Sequence, residues 1–297
     1  MEAVKLTLQD QWGLRDVRIA GKIESKGSRS IYIVECCEGK FALKQFAPSL
    51  PEASIRQYTH ALLHMQGRGL KLSPSICTTM GAELYVRHDD TFLYLMEFVE
   101  GEPLRETPED EYDLGQASAL LHTIADYTHE SGLNVKERIA GMYDRFHDYP
   151  FKREYDRIVD DLPDFEAYRQ SFIHTDIGPH NAMRADDGRI VFLDFDDAGS
   201  GSPLIDAGYP LICQFVRFQE DGSIRFDSAN AKAFYAGYLS QMTLSGREKE
   251  IVFDGAVFMQ LMYMPCYGDE GVLPMWKLLQ YALEHKEELL ASISGQG

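Results

Sequence analysis

The period of the apolar residues changes near position 100, and that change limits the folds open to this chain. Before it, apolar side chains alternate. VRIAGKIE, SIYIVECC and FALKQF follow one another between residues 17 and 46, separated by turns at Ser25-Lys26-Gly27-Ser28 and Glu38-Gly39-Lys40. Alternation of period two broken by glycine-centred turns predicts linked antiparallel hairpins. AELYVRH at 82–88 and TFLYLMEFV at 91–99 read as two further strands. One helix is expected among them, over 52–66. Ser49-Leu50-Pro51-Glu52 has the form of a capping box, Ile55, Tyr58, Leu62, Leu63 and Met65 share a face, and Gly67 and Gly69 close the segment.

Beyond Glu100-Gly101-Glu102-Pro103 helical spacing takes over. Segments 111–129, 151–170, 229–243, 247–264 and 274–292 read as helices. Between them lies a short apolar hairpin made of SFIHTD at 171–176 and RIVFLDF at 189–195. The expected fold is therefore α+β in two parts. Residues 1–99 form an antiparallel sheet with one helix, and residues 100–297 form a larger, mainly helical part that carries the hairpin within 171–197. A hinge at 96–103 joins them, and the cleft between two such parts is where a ligand is expected.

Composition narrows the partners. A chain of 297 residues with 44% hydrophobic and 26% charged residues can bury a core without disulfide or metal staples. Its 29 basic and 47 acidic residues leave a net charge of -18, and no Lys/Arg run interrupts the acidity. Attraction to phosphate backbones or anionic lipid is absent from such a balance, so neither nucleic acid nor membrane is an expected partner. Five cysteines, at 36, 37, 77, 213 and 266, include no Cys-x-x-Cys, which suits reduced thiols in a cytoplasm. The N-terminal sequence shows no continuous apolar signal segment, and the most apolar stretch, Ala256 to Tyr267, is too short to cross a bilayer.

The chemistry concentrates in one segment. His174-Thr175-Asp176-Ile177-Gly178-Pro179-His180-Asn181 is followed by Asp194-Phe195-Asp196. An isolated Asp in a turn usually only bonds nearby backbone. Here three polar residues share an order, a spacing and a hairpin context. His-x-Asp, four residues and Asn is the arrangement of a phosphoryl-transfer loop. Such a reaction needs a carboxylate beside the attacking hydroxyl and oxygen ligands for the Mg²⁺ that bridges nucleotide phosphates.

The segment FIHTDIGPHNAMRADDGRIVFLDFDDAG resembles the aminoglycoside phosphotransferase and choline kinase family, kinase-like small-molecule phosphotransferases that include homoserine kinase type II-like proteins. The layout resembles it too: FALKQF on a strand, MEFVEGEPL as a linker, then helices. The resemblance implies a bilobal protein-kinase-like fold and an ATP- and Mg²⁺-dependent transfer to a hydroxyl of a small molecule. It implies that Asp176 is the catalytic base and that Asn181 and Asp194 hold Mg²⁺, with Asp196 a second acidic ligand or a structural carboxylate. Lys44 would meet the nucleotide phosphates, and the backbone of Met96, Glu97, Phe98 and Val99 the adenine. Glu52 either pairs with Lys44 or only caps its helix. Asp206, in PLIDAGYPL, would brace the catalytic loop.

Departures sharpen the reading. No Gly-x-Gly-x-x-Gly loop is present; the first hairpin turn is Lys26-Gly27-Ser28-Arg29-Ser30, where Ser28 and backbone N–H groups are left to cover a phosphate. Asp-Phe-Asp stands where protein kinases carry Asp-Phe-Gly, which favours a small-molecule acceptor over a protein Ser/Thr kinase. A non-catalytic kinase-shaped scaffold would be expected to lack Lys44, Asp176, Asn181 or Asp194, and all four are present. Tyr263, Tyr267 and Trp276 with Asp269 and Glu270 either line a pocket for an amine or are, respectively, helix core and loop surface.

Overall fold

The computed structural model describes residues 2–24 and 30–294. They form two compact units. Unit one joins Met1–Glu102 with Met183–Asp196, and unit two joins Pro103–Ala182 with Asp197–Gly297. In this division the segment 183–196 belongs to unit one, which no local pattern in the sequence shows.

In unit one the alternating runs become β1 (Arg18–Glu24), β2 (Ser30–Cys36) and β3 (Gly39–Gln45), paired antiparallel in that order. With β4 (Ile76–Cys77), β5 (Val86–His88) and β6 (Thr91–Glu97) they make a six-stranded sheet of order β1-β2-β3-β6-β4, with β5 also on β6. The expected strand over 82–88 is shorter because Ala82 adopts φ 63°, which turns the chain before pairing begins. Val34, Leu43, Leu93 and Leu95 on one face of the sheet pack against Val4, Leu8 and Trp12. Those three belong to α1 (Glu2–Trp12), a second helix where one was expected. Helix α2 (Glu52–Arg68) buries Ile55, Tyr58, Leu62 and Met65 and ends at Gly69, whose φ of 68° favours glycine. Its first helical residue is Glu52 itself, behind an N-cap Pro51 with no side-chain cap bond, so Glu52 cannot close the expected capping box.

Residues 182–192 supply β9 (Ala182–Ala185) and β10 (Ile190–Phe192), which join β7 (Gly101–Pro103) in a sheet of order β10-β9-β7. Val99, Ala185 and Val191 form its small core. The expected hairpin between 171–176 and 189–195 is not formed. The turn at Asp187-Gly188, with Gly188 at φ 85° and its N–H bonded to Ala185 O at 2.8 Å, closes 182–192 on itself. β8 (Ser171–Ile173) pairs instead with β11 (Gly199–Gly201).

Unit two holds α3 (Pro108–Leu121), α4 (Val135–Met142), α5 (Lys152–Asp160), α6 (Pro203–Cys213), α7 (Ser228–Gln241), α8 (Gly246–Tyr263), α9 (Gly268–Glu284), α10 (Lys286–Ile293) and a hairpin of β12 (Val216–Phe218) and β13 (Ile224–Phe226). Ser245 and Glu248 complete a capping box on α8. Helix α6 is buried from Pro203 to Ile212 and presses against α8, where a Cβ on Gly255 would fall 2.8 Å from Ile205 Cα. Glycine is what permits that approach. All five cysteines are free thiols. Among the described residues no helix is long and apolar enough to cross a membrane.

Candidate active site

In unit one the candidate residues gather around a buried lysine. Lys44, 3% exposed on β3, donates from Nζ to Asp194 Oδ1 at 2.8 Å and to Asp196 Oδ1 at 2.7 Å. Burial works against the ammonium charge. Tyr94, Asp196 and Asp194 around it outweigh that penalty and hold it above the usual lysine range. Asp196 is 2% exposed, whereas the Asp194 side chain is 41% exposed and can meet a ligand. Asp194 adopts φ 57°, a left-handed conformation that Asp tolerates better than most residues but still at a cost on the order of 1 kcal/mol.

The other unit-one candidates separate. Met96 lies opposite Ala42 on β3, two positions from Lys44 and therefore on the same face of the sheet. The Glu97 N–H donates to Ser75 O at 2.8 Å, and its carboxylate binds Arg189 Nη2 and the Ser75 N–H, both at 3.2 Å. The Phe98 ring centroid lies 3.9 Å from Lys40 Nζ, and Val99 is buried. Glu52 has partners of its own: Oε1 accepts from the Tyr85 hydroxyl at 2.8 Å and faces Arg56 at 3.5 Å. The Lys44 bonds above run to aspartates instead, which are short enough to meet the ammonium from the strand end that carries them. Ser28 lies outside the described residues.

In unit two a loop follows β8. The wholly buried Asp206 of α6 accepts the N–H of His174 on Oδ2 and of Thr175 on Oδ1, each at 2.7 Å. It also takes the Nε2–H of buried His122 at 3.0 Å, whose Nδ1 is 2.8 Å from the Tyr238 hydroxyl. Thr175 is thereby held at φ 78°, a conformation that a β-branched residue adopts only under restraint. The next residue is Asp176. Asn181 Nδ2 donates to Asp176 Oδ2 at 2.7 Å and to its carbonyl oxygen at 3.1 Å, and His180 Nε2 approaches Oδ1 at 3.2 Å. The Tyr209 hydroxyl lies near enough to favour its ionised form. Burial alone would raise the Asp176 pKa. The hydrogen bond from His180, the Tyr209 hydroxyl and the imidazoles of His180 and His174 outweigh burial and bring it below the usual aspartate value. Asp176 is therefore an ionised carboxylate at neutral pH, an acceptor ready for a hydroxyl proton.

Asp176 and His180 are at the wall of a cavity of about 490 Å³ wholly within unit two. Tyr209, Tyr263 and Tyr267 face it, with Gln214, Glu106 and Arg217 among its polar groups. That size suits a small molecule. Of the aromatic residues singled out in the sequence, Tyr263 and Tyr267 line the cavity. Trp276 does not; it is buried and stacked on Phe151 with centroids 4.4 Å apart. Asp269 borders a different cavity, of about 340 Å³. Sequence reasoning missed His180 and Tyr209. The spacing of Asp206 and Tyr209, one turn apart, would reveal the tyrosine once α6 is recognised as a helix.

Behind the cavity Gln214 Nε2 donates to Glu111 Oε1. Glu111 is fully buried, and burial followed by the charge of Glu106 pushes its pKa up from 4.5 to about 8, against the pull of Arg217. The folded chain therefore keeps a proton that the unfolded chain releases near pH 4.5. Stability from this group is fully present below pH 4.5 and is lost progressively up to about pH 8. Wild-type melting temperature is expected to fall more steeply from pH 5 to 8 than that of Glu111→Gln. Parallel curves in a pH series of thermal melts would show that the carboxyl is not held protonated.

The sequence matches the model of the APH phosphotransferase enzyme family over residues 21–243. No curated protein matches it. Among solved structures, an aminoglycoside phosphotransferase from Alicyclobacillus acidocaldarius is 19% identical, with 96% of this chain and 94% of that chain covered and a TM-score of 0.64. An amicoumacin kinase in complex with AMP-PNP, Ca²⁺ and Ami is 12% identical, with coverages of 97% and 94% and a TM-score of 0.68. A choline kinase from Cryptosporidium parvum is 13% identical, with coverages of 93% and 90% and a TM-score of 0.61. These likenesses assign the fold, the protein-kinase-like arrangement of an N-terminal antiparallel sheet and a helical C-terminal part.

Proposed function

The chain belongs to the phosphotransferase enzyme family, and from that premise we propose that it moves the γ-phosphoryl group of ATP, with Mg²⁺, to a hydroxyl of an amine-bearing small molecule held in the Asp176 cavity. The observation that carries the reading is the Asp176 carboxylate, held by Asn181 and His180, at the wall of a cavity large enough for a small acceptor. Asp176 accepts a hydrogen bond from the acceptor hydroxyl and takes up its proton as the oxygen attacks phosphorus. Three tyrosines at the wall offer an amine aromatic surface, beside a Glu106 carboxylate that is paired with Arg217.

Asp194 and Asn181 are the proposed Mg²⁺ ligands. In unit one the Asp194 side chain is an exposed carboxylate, and in unit two Asn181, whose Nδ2 is committed to Asp176, has its Oδ1 as the remaining side-chain acceptor. Both side chains supply hard oxygen, the ligand type Mg²⁺ takes, and the ion would supply neutralisation of phosphate charge. Lys44 contributes a fixed positive charge toward phosphate oxygens, with buried Asp196 as the counter-ion that orients it. The Met96–Val99 backbone is the proposed adenine contact. Free thiols throughout suit a reducing cytoplasm.

Two measurements test the reading. Nucleotide consumption by the purified protein, screened against hydroxylated amines, amino acids, sugars and a protein substrate, is expected to respond to an amine-bearing alcohol. Response to the protein alone would reassign the acceptor. Calorimetry is expected to show ATP binding that weakens at least tenfold in EDTA and in Asp194→Ala. Binding unchanged by either would remove Asp194 from the metal site.

A further inference from the structure

We propose that His180 is a positioning residue for Asp176, and that Gly178 lacks a side chain so that the imidazole has room to do this; the proposal rests on Asp176 being the base of the reaction above. The chain makes a single 3-10 turn over Pro179–Asn181, and the His180 ring folds back across Gly178. A Cβ on Gly178 would fall 2.5 Å from His180 Cε1 and 2.6 Å from Nδ1, closer than atoms can approach. The backbone of Gly178 does not itself call for glycine. At φ -175° and ψ 166° it is extended, a conformation open to any residue. What excludes a side chain there is the imidazole.

The far side of that ring does the work. Nε2 lies 3.2 Å from Asp176 Oδ1, and a carboxylate only accepts, so Nε2 carries the proton of this bond. Asp206 fixes the backbone of the two preceding residues but leaves the Asp176 carboxylate free to turn about its Cβ–Cγ bond, a broad torsion. Asn181 holds Oδ2. His180 holds Oδ1, so a donor on each oxygen sets the plane of the group, and each oxygen keeps a further lone pair with which to accept. The ring is half-exposed at the cavity wall, and its centroid lies 6.4 Å from that of Tyr209, another residue of that wall. His180 is thus both part of the acceptor wall and the group that aims the carboxylate across it.

The test uses the full chain with Mg²⁺, ATP and the acceptor found by screening. His180→Ala is expected to lower kcat roughly 10–100-fold, the cost of a base misaimed by a fraction of an ångström, with KM for ATP within about twofold of wild type. Gly178→Ala, which displaces the ring without removing it, should give the same kcat defect. The Gly178→Ala/His180→Ala double variant should be no worse than His180→Ala, because both changes break one interaction. His180→Gln, with an N–H of similar reach, should recover part of the rate. A kcat for His180→Ala within twofold of wild type, multiplicative defects in the double variant, or no recovery with Gln would each overturn the proposal. Wild-type inactivity on every acceptor would instead count against the phosphotransfer reading. The proposal is then decided by imidazole ¹⁵N spectra of the free protein: the His180 Nε2–H signal should shift to that of an unbonded ring in Gly178→Ala, and an unchanged signal overturns it.

Discussion

Asp176→Asn is expected to lower kcat by about 10²–10⁴-fold while ATP affinity stays near wild type. The amide keeps the size of the carboxylate and removes its charge and basicity. It also turns one acceptor into a donor, facing the N–H groups of Asn181 and His180 that now point at Asp176. The nucleotide candidates Lys44, Asp194 and the Met96–Val99 segment belong to unit one, and the substitution leaves them untouched. A residue that merely formed a turn would tolerate Asn, since Asn makes similar turns. Steady-state turnover and ATP calorimetry on one preparation separate the two. Near-normal turnover with an active acceptor would end the assignment of Asp176 as base.

Asp206→Ala should destabilise the fold by about 3–5 kcal/mol. It strips a fully buried acceptor from three donors at once, the N–H groups of His174 and Thr175 and the His122 imidazole. Each is left in a place water does not reach. The same change releases Thr175 from its left-handed conformation, so Asp176 loses its place even where the fold survives. Asp206→Asn keeps one accepting oxygen and should lose less. Urea unfolding curves measure both. An alanine variant with a wild-type midpoint would mean that the loop holds its shape without this brace.

Much of unit one was legible because its rules are local. Period-two runs with glycine turns mark β1, β2 and β3, and the apolar face of α2 together with Gly69 marks that helix. Helix α6 was not legible. It is buried on every side and contains Gly208 and Pro210, so it shows neither an apolar stripe nor good helix propensity, and it packs closely against α8. The pairing of β8 was hidden for a related reason: the Asp187-Gly188 turn satisfies 182–192 locally, and only the three-dimensional arrangement offers Gly199–Gly201 as partner. In the site, the motif spacing singled out Asp176 and Asn181, and the structure brings them into contact. It also brings Asp194 and Asp196 to Lys44, in place of Glu52. His180 reads in sequence as one more polar turn residue, since its contact depends on an empty space at Gly178 that no pattern encodes.

The attachment of residues 183–196 to unit one has a consequence for how the protein is made. Lys44 meets its two carboxylates across 150 and 152 residues of chain. At a synthesis rate of about 5–20 residues per second, the first 102 residues wait roughly 5–20 s before Asp196 has even been added. During that interval the nascent sheet carries a lysine destined for a buried position with neither counter-ion available, and β7 lacks β9, its neighbour. Burying an ammonium alone is unfavourable, so the Lys44 end of β3 stays wet until the later segment arrives. The N-terminal unit therefore finishes folding only after well over half of the polypeptide has been made, and its Lys44 edge depends over that interval on whatever shields nascent chains.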